Sequence, residues 1–286
     1  MNDQPTLLWA ARSRRFELGR RTLVMGILNV TPDSFSDGGR FLDPSRALEQ
    51  ARRMIDEGAD LLDVGGESTR PGAAPVPEDE EIRRVLPVIE AIRSGSGIPI
   101  SVDTAKAAVA DRALEAGADI VNDVTALTAD PAMPAVAARY GAGVILMHRQ
   151  GTPRTMQADP RYADVVREVR DYLAGRIAGL AAEGLAPDSL AVDPGIGFGK
   201  TLEHNVALLH NLDALAGLGR PVVVGLSRKS FLGRITGRET DDRLAGGLGA
   251  AAWAIARGAH IIRTHDAKET CDMVRVVDML RQESAT

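Results

Sequence analysis

The stretch Asp193-Pro-Gly-Ile-Gly-Phe-Gly-Lys200 follows a short apolar run, Leu190-Ala-Val192. A carboxylate therefore stands where a buried strand ends, and the Gly- and Pro-rich loop after it lets backbone approach a ligand closely. A carboxylate in such a place costs free energy unless it has a partner. The arrangement recurs along the chain. Short β-rich runs fall at Thr22–Leu28, Asp60–Val64, Ile98–Val102, Asp119–Val121, Gly143–Met147, Leu190–Val192, Pro221–Gly225 and His260–Arg263. Their unbroken apolar character suits strands buried on both faces of a parallel sheet. Segments with helical periodicity lie between them, among them Ser45–Glu57, Glu78–Arg93, Thr104–Ala116, Tyr162–Ala182 and Arg243–Arg257. Asp43 or Ser45 can cap the first of these, and Pro44 suits its first turn. Gly58, Gly117 and Gly258 stand where helices should stop before the next strand.

Eight strand–helix units predict an α/β protein, a (β/α)8 TIM barrel forming one domain over residues 1–286. A doubly wound open sheet is the alternative, but it would normally carry an early GxGxxG or GxxxxGK[ST] loop, and neither is present. Residues 1–21 precede the first strand, and Phe16-Glu-Leu18 suits a hairpin closing the N-terminal end of the barrel. Residues 282–286 read as a frayed tail. Composition agrees: 286 residues, 44% apolar, 29 Gly and only 3% aromatic suit many tight loops around an aliphatic core. A net charge of −5 gives no reason to expect nucleic acid or an anionic membrane as partner. The single Cys271 excludes an internal disulfide and a Cys-based metal cluster. No apolar run reaches about 18 residues, and no signal peptide is recognised. The expectation is a soluble, cytoplasmic protein.

Side chains at the C-terminal ends of barrel strands converge on one mouth. Asn29, Asp63, Asp103, Asn122, His148, Asp193, Arg263 and His265 occupy those ends, and Ser227 and Lys229 follow the seventh strand. A lone Asp or Asn there is usually a turn former, but a polar residue at nearly every strand end is not explained by capping. Two loops stand out. Asn29 to Gly39 is long and polar, with Phe35 isolated in its middle, and reads as a mobile lid or an ordinary surface loop. Gly65-Gly-Glu-Ser-Thr-Arg-Pro-Gly72 resembles an anion-binding nest. Arg263 and His265 alternate and so point to one side, and with Arg70 they would suit a polyphosphate. No His, Asp or Glu spacing suits a tight zinc site, so any metal is expected to be Mg²⁺ carried on phosphate oxygens. His204, His210, Trp253 and Cys271 read as packing or solvent-facing residues.

The motifs Gly26-Ile-Leu-Asn-Val-Thr-Pro-Asp-Ser-Phe-Ser-Asp-Gly-Gly39, Asp63-Val-Gly-Gly-Glu-Ser-Thr-Arg-Pro-Gly72, Ser101-Val-Asp-Thr104, Asn122-Asp123, Leu146-Met-His148, Asp193 to Lys200, Ser227-Arg-Lys-Ser-Phe231 and Arg263-Thr-His265 together resemble the dihydropteroate synthase family of the folate pathway. One departure is Arg149, where that family often has an uncharged residue. The resemblance implies that Asp103, Asn122, Asp193, Lys229, Met147 and Gly225 hold a pterin. It implies that Asn29, Thr69, Arg70, Arg263 and His265 bind its diphosphate, with Asn29 as ligand to Mg²⁺. Phe35, Phe198, Ser227 and Pro71 would form the 4-aminobenzoate site. Asp103, Lys229, Asn29 and Arg263 would carry catalysis, and a homodimer is implied. A corrinoid-linked pterin methyltransferase, a non-catalytic pterin-binding paralogue and a sugar-phosphate barrel enzyme are the rivals. The first would lack the Phe-bearing loop and the diphosphate cluster, the second should show losses in the Asn29 or Arg70 loops, and the third would carry a Gly-rich phosphate site after strands seven and eight.

Overall fold

A computed structural model describes residues 6–31, 44–70 and 72–283. Eight parallel strands form the sheet: β3 (Leu23–Asn29), β4 (Leu61–Gly65), β5 (Ile100–Asp103), β6 (Ile120–Asp123), β7 (Gly143–Met147), β8 (Leu190–Asp193), β9 (Val223–Gly225) and β10 (Ile261–Thr264). Neighbours in sequence are neighbours in the sheet, and β10 pairs with β3. A parallel bridge between Val192 and Val222, with Val192 N donating to Pro221 O at 2.8 Å, joins β8 to β9 and closes the barrel. Every expected strand is present. Most run one residue further at the C-terminal end, because the polar residue there still pairs with its neighbour.

The helices among the described residues are α1 (Pro44–Asp56), α2 (Glu78–Gly95), α3 (Ala107–Glu115), α4 (Met133–Tyr140), α5 (Val165–Ala182), α6 (Leu202–His210), α7 (Asp213–Ala216), α8 (Ser230–Thr236), α9 (Leu244–Ala256) and α10 (Ala267–Glu283). Pro44 opens α1 as expected, and Asp43 lies outside the described residues. Gly58, Gly117 and Gly258 have φ of 101°, 110° and 103° and stop α1, α3 and α9 in the left-handed region that favours glycine. The expected tail is helical at Gln282 and Glu283, because α10 continues to that point. Gln282 donates to Arg20 O at 3.2 Å. Residues 284–286 lie outside the described residues. No described helix is long and apolar enough to cross a membrane.

Strand parity divides the core into two parts. Val24, Leu28, Leu62, Val64, Ile100, Val102, Val121, Val144, Leu146, Leu190, Val192, Val222, Val224 and Ile262 face the helices. Met25, Leu61, Ile120, Ile145, Ala191, Val223 and Ile261 fill the inside of the barrel at its N-terminal end. There the expected hairpin, β1 (Leu7–Ala11) with β2 (Arg14–Leu18), joins them through Trp9, Ala11 and Leu18, all fully buried. Trp9 Nε1 donates to Ser189 O at 2.8 Å, which satisfies the one polar atom of the buried ring. Gly143 makes room for this plug, since a Cβ there would come within 2.8 Å of the Ala11 Cβ.

Candidate active site

The inner face places the site by counting. Two residues beyond the inner core layer, on the same face, stand Asp63 after Leu61, Asn122 after Ile120, Met147 after Ile145, Asp193 after Ala191, Gly225 after Val223 and Arg263 after Ile261. Asp103 follows Ser101 in the same way, and Asn29 stands four beyond Met25. One ring at the C-terminal mouth thus holds most of the residues expected there, including Met147 and Gly225. Asp123 has the opposite parity and belongs to the helix layer. Its carboxylate accepts from Thr125 N and Oγ1, both at 2.7 Å, and from Leu127 N at 3.1 Å. It braces a turn in which Ala126 and Leu127 have φ of 55° and 58°.

The centre of the ring is a charge array. Arg263 Nε donates to Asp63 Oδ2 at 2.6 Å and Nη2 donates to Asp103 Oδ2 at 2.8 Å. Asn122 Nδ2 donates to the same Asp63 oxygen at 3.0 Å. Asp63 is fully buried, and it orients both the guanidinium and the amide. Burial raises Asp103 to about 7, against the pull of Arg263 and with help from the Asp63 charge. Asp103 is thus a carboxylate poised to change charge near neutral pH, a common property of functional sites.

Asp193 is buried, and its Oδ1 accepts from Gly195 N at 2.6 Å. Burial raises its pKa above the usual carboxylate range, while that bond and Lys229 pull it down. Burial lowers Lys229 to about 8, with Asp193 opposing. The Lys229 ammonium lies 4.2 Å above the centre of the Phe198 ring. Three glycines of this loop, Gly195, Gly197 and Gly199, have φ of 67°, 83° and 64°. A side chain at Gly195 would collide with the His148 carbonyl, so the loop packs backbone to backbone against the end of β7. His148, expected at the mouth, turns away from it. Its Nδ1 lies 3.1 Å from the Lys200 Nζ, and its ring meets Tyr172 edge-on. Lys200 is 2% exposed. Burial lowers it to about 7, and burial with the Lys200 charge lowers His148 to about 3.

A second group surrounds a depression of about 470 Å³ lined by Asn29, Arg70, Arg228, His265 and Asp266. Asn29 Nδ2 lies 3.4 Å from His265 Nε2. Ser227, expected beside the aminobenzoate, has its hydroxyl 3.0 Å from His265 Nδ1 and donating to Asp266 Oδ2 at 3.2 Å. The hydroxyl also accepts from His265 N at 3.3 Å, so Ser227 links the end of β9 to the residues that follow β10. Asp266 also holds Arg228 at 2.8 Å, a non-glycine residue at φ 60°. Thr69 lines a neighbouring cavity of about 560 Å³ with Asp103, Lys106, Arg149 and Arg154. The consecutive residues Thr69 and Arg70 therefore border two neighbouring cavities. Phe35 and Pro71 lie outside the described residues. Among the described residues no group of three or more His, Cys, Asp or Glu could hold a metal ion.

Sequence reasoning named Asp63 without giving it a role and passed over Lys106 and Lys200. The signal for Asp63 was present, as a carboxylate inside the apolar run Leu61-Leu-Asp-Val64. Lys106 Nζ donates to Glu67 Oε2 and Glu81 Oε2, and nothing in its spacing from either residue announces that contact.

The sequence pattern of the pterin binding enzyme family matches residues 25–265. A dihydropteroate synthase of Synechocystis sp. is 47% identical over 266 residues, covering 93% of this chain and 92% of the relative. The Yersinia pestis dihydropteroate synthase, solved with a sulfonamide drug complex, superposes with a TM-score of 0.91 at 43% identity, over 97% of this chain and 100% of that one. The Xanthomonas albilineans dihydropteroate synthase with 4-aminobenzoic acid gives a TM-score of 0.90 at 44% identity, over 97% and 99% of the two chains.

Proposed function

The chain belongs to the family of pterin binding enzymes, and from that premise we infer that it is a transferase joining 6-hydroxymethyl-7,8-dihydropterin diphosphate to 4-aminobenzoate, the reaction of a dihydropteroate synthase. The products are 7,8-dihydropteroate and diphosphate. The observation that carries this reading is the set of buried Asp63, Asp103 and Asn122 around half-buried Arg263, beside Asp193 and Lys229, all at one barrel mouth. An aminopyrimidinone edge offers adjacent N–H donors and ring acceptors. Asp193 accepts from the donors, Asn122 both donates and accepts, and Lys229 reaches the acceptors. Met147 and Gly225 complete the walls of that pocket.

Arg70, Arg263, His265, Thr69 and Asn29 hold the diphosphate. Asn29 would hold Mg²⁺ through its single amide oxygen, a reading supported by the few protein ligands that Mg²⁺ characteristically keeps beside phosphate oxygens. When bound, Mg²⁺ neutralises charge on the leaving diphosphate. The methylene C–O bond breaks, largely before attack, with its electron pair leaving on the diphosphate. The amine lone pair of 4-aminobenzoate then forms the C–N bond, and the extra amine proton leaves to diphosphate or solvent. Asp103 favours the cationic carbon electrostatically. Phe198, with Phe35 and Pro71, packs on the benzoate ring.

The test is diphosphate release by the purified protein with dihydropterin diphosphate and Mg²⁺, with and without 4-aminobenzoate. Release that depends on 4-aminobenzoate and forms dihydropteroate is the expected result. Pterin binding without release would overturn it in favour of a binding paralogue or another acceptor. Sulfonamides mimic 4-aminobenzoate and are expected to compete with it; saturating drug without effect on turnover would contradict the aminobenzoate site. The same reading includes a cytoplasmic homodimer through the late helices. Val276, Met279 and Leu280 on α10, each more than half exposed, support that contact.

A further inference from the structure

The loop Asp193 to Lys200 ends on a lysine that no step of the proposed reaction uses. Lys200 Nζ lies 3.0 Å from Gly195 O, 3.1 Å from Phe198 O and 3.2 Å from His148 O, with His148 Nδ1 at 3.1 Å. Carbonyl oxygens only accept, so the group at the centre must donate to all three. An ammonium has three N–H donors, which matches that demand. Those three bonds use every N–H of the ammonium, and the His148 ring nitrogen Nδ1 lies beside it at 3.1 Å. Gly195 and Phe198 belong to the loop after β8, and His148 follows β7. One buried cation therefore ties the backbone of two adjacent strand ends together. Glycines at positive φ turn the loop carbonyls inward to meet it.

Two residues of the proposed site depend on this loop. Asp193 accepts at 2.6 Å from the N–H of Gly195, the residue whose carbonyl the ammonium holds. Phe198 gives its carbonyl to Lys200 while its ring faces Lys229 at 4.2 Å. An apolar stem of equal length would fill the same space. It would leave three carbonyls without donors, and buried acceptors so stranded are costly.

We propose that Lys200 is a positioning residue whose ammonium serves as a built-in cation at the centre of an oxygen cage, and that this cage sets Asp193 and Phe198 toward the substrates. The substrate-directed part rests on the synthase reading. The cage itself does not.

Lys200→Ala removes both stem and cation. It is titrated with methyl-, ethyl-, propyl- and butylammonium chloride, with sodium chloride at equal ionic strength as control. The expected loss is roughly 100-fold in kcat/KM for 4-aminobenzoate, the scale on which misplacement of about 1 Å acts. Primary ammonium ions restore activity saturably with an optimum chain length, and they raise Tm in parallel without any substrate. If the variant is isolated unfolded, the same ions are expected to raise its refolding yield. Absence of any ammonium-specific recovery in activity, Tm and refolding overturns the proposal. Lys200→Met keeps the stem and deletes the charge; a raised KM for 4-aminobenzoate, insensitive to added ammonium, is expected. Wild-type constants in Lys200→Met also overturn it. A wild-type protein that fails to release diphosphate sinks the synthase reading alone, and the Tm titration still decides the cage.

Discussion

Asp103 is pulled two ways. Burial favours its neutral form, while Arg263 and the proposed cationic transition state favour its charged one. Its folded value of about 7 lies above that of a free carboxylate, so over the window from about 4 to 7 the folded state retains a proton that the unfolded chain releases. The stability contributed by this group is therefore full at low pH and is lost as pH rises through that window. Activity moves oppositely, because the ionised form is the useful one. With Lys229 losing charge above about 8, kcat/KM is expected to form a bell whose limbs belong to the coupled set. Asp103→Asn should keep the fold, lower turnover about 100-fold and abolish the acid limb; near-normal turnover would remove Asp103 from the mechanism. Arg70 is exposed and lies in the depression with His265. Arg70→Ala should raise KM for the dihydropterin diphosphate about tenfold, roughly one charge-assisted hydrogen bond, and leave that for 4-aminobenzoate unchanged. Steady-state kinetics in both substrates check this. The mouth residues were legible because each stands at the C-terminal end of an apolar run; His148 was misplaced because position at a strand end does not say which face a side chain takes. The Lys200 cage was not legible, since its His148 partner lies 52 residues away and spacing carries no sign of it.

Loops set the precision of this site, and they are held by charges outside it. Lys106, just after β5, pairs with Glu67 in the nest loop and with Glu81 in the first turn of α2. Glu81 is fully buried. Lys106→Met would strand that carboxylate and should destabilise the protein by about 3 kcal/mol, the lower end for a broken buried pair because Lys106 is partly exposed. Urea unfolding measures this, and the double variant with Glu81→Gln should recover part of the loss. A shift within error of wild type would mean the pair does not anchor the nest. Strand and helix identities were readable from apolar runs and glycine stops. Boundaries were less so. The helix expected from Thr104 begins at Ala107, because Thr104 Oγ1 accepts from Lys106 N at 3.3 Å and Asp130 accepts from Ala107 N at 2.8 Å, fixing a turn first. Arg228 at positive φ carries no sequence mark at all.

At the scale of the molecule the last helix is fastened to the first barrel strand. Asp278 on α10 accepts from Thr22 N and Thr22 Oγ1, each at 2.8 Å, fastening the last helix to the start of β3. Asp278→Ala leaves a buried N–H without a partner and should cost about 2 kcal/mol. The expected readout is a lower Tm with kinetic constants unchanged, and altered constants would show that this contact reaches the mouth. The hairpin was legible as a candidate from its position alone, whereas its depth inside the barrel was not, because nothing local to Trp9 names Ser189. That separation of 180 residues has a consequence for how the protein is made. A ribosome releases the hairpin long before Ser189 and Ala191, so the seat of Trp9 is incomplete until β8 leaves the exit tunnel. The hairpin must therefore wait, and the emission of Trp9 should report a late step in the maturation of the nascent barrel.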